Sequence, residues 1–473
     1  MRVVLSVFLV AVAAQTATAT TWHVATSGND AATGASDAPW RTIQRAASAV
    51  VPGDTVIVHA GNYVGFTVTT RGTATAPIAF TTDGTVAIDG ASTTNRDAIM
   101  IQGGAYITIE GFTVTGAGRA GIAALDCDHV TVRGNRVDAN TRWGVFSSFC
   151  DDLVVEGNDI SRSGSEHGVY ASNSADRPII RDNKIWGNGM CGVHMNGDVN
   201  FGGDGVISNA LVERNVILDN GRLGGSGING DGIANAIIRN NVLDNNHASG
   251  ISLYSIDGGA PSTGNQVINN TVRMAADARW TINIQDGSTG NTLVNNVLLH
   301  PSATRGALDI CATCVAGTVS DHNALVGRFL VGGVAKDLAA WRAQTGNDAS
   351  SIVGTDALFT NPSAGDLTLR AGAPAVDVGS ATHAPMVDLV GTLRPQGAGV
   401  DIGAYEFCSG PCVGGDDGGD DGGDDTGDGG DGGGPDYSGP TATDTGGGGC
   451  SVGGSPGLLL ALVAFVLRRR RLR

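Results

Sequence analysis

Along the middle of the chain, apolar and polar positions alternate in short bursts, and the bursts recur. A unit of the form apolar-x-x-Asn-x-apolar runs from Val132 to Val137 with Asn135 in its fourth slot. It returns around Asn158, Asn183, Asn215, Asn241, Asn270 and Asn296, and Ile109–Val114 is the same unit with Phe112 in the Asn slot. From Phe112 onward the intervals are 23, 23, 25, 32, 26, 29 and 26 residues. A second ladder, a Gly-apolar pair, follows each unit: Gly121-Ile122, Gly144-Val145, Gly168-Val169, Gly192-Val193, Gly227-Ile228 and Gly250-Ile251, continued by Thr281-Ile282 and Ala307-Leu308.

Short alternating runs predict strands, and a fixed period of this length predicts stacked coils. One arrangement satisfies both ladders: an all-β, right-handed parallel β-helix of roughly ten coils, each coil ~4.8 Å above the last. Stacked Asn side chains would hydrogen-bond along the axis and to the turning backbone. Val and Ile would fill the interior, and Gly would sit where a Cβ collides at a corner. Leucine-rich repeats of similar period need several leucines and a helical segment per unit, and this chain has neither.

Three further segments frame the repeats. Trp40–Val51 has apolar residues at helical spacing and ends at Pro52-Gly53-Asp54, predicting a short helix that caps the open end of the solenoid. Thr55–Val58 alternates as a strand, Ala335–Thr345 predicts a short helix, and Asp366–Phe407 a compact closing segment. The expected layout is a cap and first coils over 21–100, repeats over 101–330 and a closing segment over 331–407.

The cysteines test the register. Cys127 and Cys150 each lie eight residues before a ladder Asn, so they share a slot on consecutive coils, within reach of a disulfide. Cys311 with Cys314 and Cys408 with Cys412 are expected local pairs. Cys191 is assigned an inward slot as a buried free thiol.

Composition sharpens the picture. Gly numbers 73 and charged residues make up only 16%, which disfavours long helices with charged faces. The net charge is −17, much of it from aspartates between Asp416 and Asp444. No basic patch lies outside the C-terminal tip, which excludes nucleic acid as an expected partner.

Both ends read as addresses. Residues 1–20 have the pattern of a signal peptide: Arg2, the apolar run Val3–Ala14, and Ala17-Thr18-Ala19 before the cleavage site. Residues 408–449 form a Gly/Asp-rich linker that cannot build a core. Residues 450–473 carry Cys450, an apolar run from Gly457 to Leu467 that is short for a lasting transmembrane helix, and Arg468–Arg471. This tail resembles the sorting tails of myxobacterial surface proteins, which implies retention at the cell surface with membrane contact only through the tail. A monomer is expected.

Motifs near both ends of the folded region add a second resemblance. Thr26–Asp30, Pro39–Gln44 and Pro52–Val56 resemble the start of many secreted β-helix proteins, among them relatives of the pectate-lyase and chondroitinase-like polysaccharide lyases. Leu367–Arg370, Ala373–Asp377, Arg394-Pro395 and Asp401–Glu406 resemble the closing segment of surface-anchored β-helix proteins. The resemblance covers roughly residues 22–407 and implies the architecture and a polysaccharide partner, most simply an acidic glycan. It does not imply a reaction, because lyases, epimerases, hydrolases and adhesins share this fold.

Strand alternation after the Gly corner predicts one outward column: Ala123, Phe146, Tyr170, His194, Asn229, Ser252, Asn283 and Asp309. A second reads Leu125, Ser148, Ser172, Asn196, Asp231, Tyr254, Gln285 and Cys311. The middle coils collect groups that titrate, hydrogen-bond or stack on sugars. His194, His167, Tyr170 and Glu166 are the candidate catalytic residues of a lyase or uronate epimerase, since His titrates near neutral pH. Arg142, Asn196, Asn229, Asp231 and Tyr254 are the candidate substrate-binding residues. The alternative is a non-catalytic adhesin or glycan-binding protein. No cofactor is required; a calcium ion would draw on Asp198, Asp204 and Asp231 if these meet. The insertion after Asn196 lengthens one coil and is expected to wall a cleft.

Overall fold

The computed structural model describes residues 19–92 and 96–415. Most of the signal-peptide segment, nearly all of the Gly/Asp-rich linker, and the tail with Cys450 lie outside the described residues. The chain winds into a right-handed β-solenoid of about 11 turns. Each full coil contributes a strand to three parallel sheets, here named A, B and C. In one coil these are Val193–Asn196 in sheet A, Leu211–Glu213 in sheet B and Val216–Leu218 in sheet C. Register passes from coil to coil without a slip in the middle of the molecule, as in Val155 to Ile180 to Val212 to Ile238 on sheet B.

The interior follows from the repeat. Val155, Ile180 and Val212 from sheet B, Ile160, Ile185 and Ile217 from sheet C, and Val169, Val193 and Ile228 from sheet A are all fully buried in one continuous core. Each such side chain stabilises by roughly 1.5–3 kcal/mol on burial.

The corner between sheets B and C is built by the ladder. Asn135 Nδ2 and its backbone N–H both donate to Asn158 Oδ1, at 3.1 and 2.9 Å. Asn158 does the same to Asn183, and the pattern continues through Asn215, Asn241, Asn270 and Asn296 to Asn323. The second amide hydrogen of Asn158 goes to Val132 O and Glu156 O. The residue before each ladder Asn is left-handed, as at Gly157, Asp182 and Arg214, and this turns the chain by one tight bend.

Glycine is required at the corner that opens sheet A on the coils from Gly121 to Gly250. A Cβ on Gly168 would lie 2.5 Å from Ile185 Cγ2 and 2.8 Å from Gly192 O. Neighbouring coils pack too closely there for any side chain. Cys127 and Cys150 occupy registered positions and are bridged, with Cα atoms 4.4 Å apart; Cys311–Cys314 and Cys408–Cys412 are bridged as well.

Both ends are closed. Helix α1 (Ile43–Ala47), shorter than the apolar spacing over Trp40–Val51 predicts, buries Ile43, Ala46 and Ala47 against the first coils. At the far end the expected helix over Ala335–Thr345 is corrected in its first part. Arg328–Val331 and Val334–Asp337 pair antiparallel around Gly332-Gly333, and helix α2 (Leu338–Thr345) begins only after them. Both glycines have positive φ, the geometry of a two-residue hairpin turn. Trp341 of α2 stacks on Phe329 with centroids 5.1 Å apart.

The closing segment packs on the flank at the B–C corner. Asn240, Asn269 and Asn295, which precede ladder asparagines, donate to Val387 O, Asp401 O and Ser380 O. Ile402 and Tyr405 join Val242, Val297 and Leu299 in a second apolar cluster. A fully buried Arg394–Glu406 pair at 2.7 Å holds this segment together.

Candidate functional site

The outward columns of sheet A are as the alternation predicts. Phe146, Tyr170, His194, Asn229 and Ser252 are registered partners on successive strands, and so are Ser148, Ser172, Asn196, Asp231 and Tyr254. A residue pair before the strand adds Arg142–Trp143, then Glu166–His167, then Met190–Cys191. The face is therefore a straight track with one coil spacing between like positions.

Its first half is aromatic. Trp143 stacks on Phe146 at 4.3 Å, Phe146 tilts against Tyr170 at 5.6 Å, and Tyr170 stacks on His194 at 4.9 Å. The Arg142 guanidinium covers the Trp143 ring at 4.3 Å and pairs with Glu166, whose other oxygen accepts from Trp143 Nε1 at 2.7 Å. Both ends of the Glu166 carboxylate are thus engaged, and the aromatic stack is locked from its edge.

The two histidines form a directed relay. The Cys191 N–H donates to His167 Nδ1 at 3.2 Å, and His167 Nε2 lies 3.1 Å from His194 Nδ1. A neutral imidazole has one donor and one acceptor nitrogen. His167 accepts at Nδ1, so it carries its proton on Nε2 and donates to His194, which in turn carries its proton on Nε2. That Nε2 is buried without a partner among the described residues. Burial pushes His194 down to about 3. Burial, then the neighbouring His194 and Arg142, holds His167 well below the ordinary range.

Cys191 belongs to this cluster and corrects the inward assignment. It is a buried free thiol, but it lies outside the interior core and against the histidines on the sheet A face. Burial pushes the thiol up to about 12, so it is neutral. His167, Cys191 and His194 have ligand-type atoms within 4.8 Å of one another. A ligating His normally gives its other N–H to an acceptor. His167 Nδ1 instead faces the Cys191 N–H donor, so the trio fits a proton-linked pair better than a metal centre. The other such trio, Asp128, His129 and Asp152, has Asp152 paired with Arg177.

The second half of the track is polar. Asn196 donates to Tyr170 Oη at 3.4 Å, and Asn229 to Tyr254 Oη at 2.5 Å. Burial raises both phenols above their ordinary value. Asp231 accepts the N–H groups of Ile256, Asp257 and Gly258, and so shapes a loop that sequence reasoning did not connect to it. Asp198 and Asp204 likewise each accept from backbone two residues on. The three candidate calcium ligands are thus committed to separate turns and form no common group among the described residues.

The long insertion walls one edge as expected. Val199 N–H donates to Asp257 O and Gly259 N–H to Gly205 O, which zips residues 197–206 to residues 255–260 beside the track.

Residues 22–150 match the sequence family described as Pel9A-like, right-handed β-helix region. Residues 162–321 match the right-handed β-helix region family. The fold is a pectate-lyase-like β-helix. Pectate lyase Pel9A aligns with a TM-score of 0.60 and 18% identity over 82% of this chain and 97% of its own. An alginate lyase from Paenibacillus sp. str. FPU-7 aligns with 0.46 and 20% over 61% and 97%, and a rhamnogalacturonan lyase with 0.45 and 14% over 59% and 82%. At these identities the likeness is one of fold. No curated protein matches the chain.

Within this β-helix the structure gathers Arg142, Glu166, His167, Tyr170, His194 and Asn196 into one connected network, with Asn229, Asp231 and Tyr254 beside it. Sequence reasoning placed Arg279 and Arg305 in the slot before the corner but counted neither of them, nor Trp280, among the site residues. Their signal was present: two arginines at one slot on consecutive coils.

Proposed function

We propose that this chain is a polysaccharide-binding β-helix and that its contact surface is the sheet A face from Trp143 to Tyr254. The observation that carries the reading is the registered column Phe146, Tyr170, His194, Asn229 and Ser252. It sets aromatic rings at one end and a hydrogen-bonded polar group at the other, along a rigid line beside a loop wall, with Tyr170, His194 and Tyr254 half-buried at its surface. Sugars present apolar CH faces and hydroxyls in the same alternation, so stacking and hydrogen bonding are both served. Arg279 and Arg305, further along the same sheet, favour an acidic polymer. Pectate lyase Pel9A, which shares this fold, is named for an acidic glycan, in agreement with that partner class.

The same geometry favours binding over cleavage. Eliminating across a uronate needs a base that reaches the sugar proton. The His194 Nε2 atom is buried and its ring weakly basic, Glu166 is held by Arg142 and Trp143, and Tyr170 keeps its proton. The tail around Cys450 supports display at the cell surface.

The test is affinity electrophoresis in gels carrying pectate, alginate or a neutral glycan, with absorbance of unsaturated uronates followed in parallel. Wild-type protein is expected to be retarded by an acidic glycan without releasing unsaturated product. Tyr170→Ala is expected to weaken retention by about 1 kcal/mol or more. Release of unsaturated product by wild type, abolished in His194→Ala, would replace this reading with the lyase.

A further inference from the structure

Beyond the aromatic stretch, the sheet A face deepens into a cleft of about 360 Å³ near its C-terminal end. Its floor carries Asn283 and Asp309, registered partners on adjacent strands, with Gln285 donating to both at 3.0 and 3.1 Å. Its wall carries Arg279, Trp280 and Arg305.

Three features of this wall ask for an anion. Arg279 and Arg305 each stand three residues before the registered pair Ile282 and Leu308, so they occupy one slot on consecutive coils. Like charges set opposite each other across a ladder repel. Elsewhere in this slot the charge is answered: Arg119 pairs with Asp97 and Arg142 with Glu166. Arg279 and Arg305 have no carboxylate within ion-pair distance among the described residues, and the Arg279 guanidinium donates a long hydrogen bond, 3.5 Å, to Gly225 O. Next to Arg279 on the same coil sits Trp280, 4% exposed, whose Nε1–H has no acceptor among the described residues. A buried donor without an acceptor is uncommon and marks a place where a ligand or water belongs.

The opposite side of the cleft supplies the complementary chemistry. Asp309, Asn283 and Gln285 are acceptors and donors suited to hydroxyls, and an exposed anion held by two guanidiniums would lie across from them. A group bearing one carboxylate and several hydroxyls matches both walls, whereas a neutral sugar leaves the arginines unanswered.

We infer that this cleft is a subsite for one uronate residue, with Arg279 and Arg305 clamping its carboxylate beside the buried Trp280 indole, and Asp309, Asn283 and Gln285 taking its hydroxyls. This deepens the glycan-binding reading of the face and rests on it for the polymer, while the subsite itself is testable with a monosaccharide.

The experiment uses full-length ¹⁵N-labelled protein and follows the indole N–H resonances. Trp280→Phe identifies the Trp280 signal by its loss. Galacturonate, glucuronate and mannuronate are each titrated, with galactose and galactose 6-sulfate as controls. The expected result is that at least one uronate shifts the Trp280 signal and galactose does not. The exposed double substitution Arg279→Gln/Arg305→Gln is expected to weaken that binding at least tenfold while leaving the other indole signals in place. No shift with any uronate, an equal shift with galactose, or unchanged affinity in the double variant overturns the subsite. An equal response to galactose 6-sulfate overturns the carboxylate assignment. Tyr170→Ala separates the two readings. A uronate shift that persists in this variant supports the subsite even if polymer binding is lost. Polymer binding that depends on Tyr170 without any Trp280 response sinks the subsite alone.

Discussion

A side-chain amide donates and accepts at once, and the ladder uses both functions at every step. Asn158 receives from the coil before, gives to the coil after, and satisfies two carbonyls of its own bend. Removing it strands buried partners on both sides. Asn158→Ala should lower unfolding stability by about 1–3 kcal/mol, measured by denaturant titration; Asn158→Asp keeps the acceptor and should cost less at the Asn135 side. The histidines make a second residue-scale prediction. His194 titrates near 6.5 when unfolded and near 3 when folded. Below pH 6.5 the unfolded chain takes up a proton that the folded chain refuses, so stability is full above that pH and falls as pH drops. Each pH unit in this window costs about 1.4 kcal/mol, so the loss between pH 6.5 and 5 is about 2 kcal/mol. The difference in stability between wild type and His194→Gln should therefore slope across that window; a flat difference would mean His194 takes a proton in the folded state.

At the scale of elements, the period was the most readable feature, because stacking forces the same residue into the same slot on every coil. The outward columns followed from it by simple alternation. A second amide ladder was equally legible and went unread: Asn140, Asn188, Asn220 and Asn246 each stand five residues after a first-ladder Asn. Asn188 donates to Asn220, and Asn220 to Asn246; Ser163 fills the break, its N–H donating to Asn188. The Gly332-Gly333 hairpin was legible too, as a two-residue turn between alternating runs. Other features had no local signal. Cys191 faces outward because the Gly corner that follows it interrupts strict alternation. The His167–His194 contact depends on ring orientation set by Tyr170 and by the Cys191 N–H. The grip of Asp231 on residues 256–258 joins a strand to a loop of the next coil, and no spacing rule points to it.

At the scale of the whole molecule, the same three-sheet prism is used three ways. Helices α1 and α2 close its ends, the closing segment clasps its B–C flank, and sheet A carries the aromatic and polar columns beside the loop wall. The clasp depends on the buried Arg394–Glu406 pair. Arg394→Leu would leave Glu406 as an uncompensated buried charge and should destabilise by about 3–5 kcal/mol, with hydrogen exchange rising first around Asn240, Asn269 and Asn295. The registered aromatic and polar columns are what make sheet A the contact surface. The most direct test is a hydrogen-exchange footprint of the full chain with and without an acidic oligosaccharide. Protection is expected only on sheet A, in Val169–Ser172, Val193–Asn196 and Ser226–Asp231, and in the loop wall. Protection on sheet B or C with sheet A unchanged would contradict it.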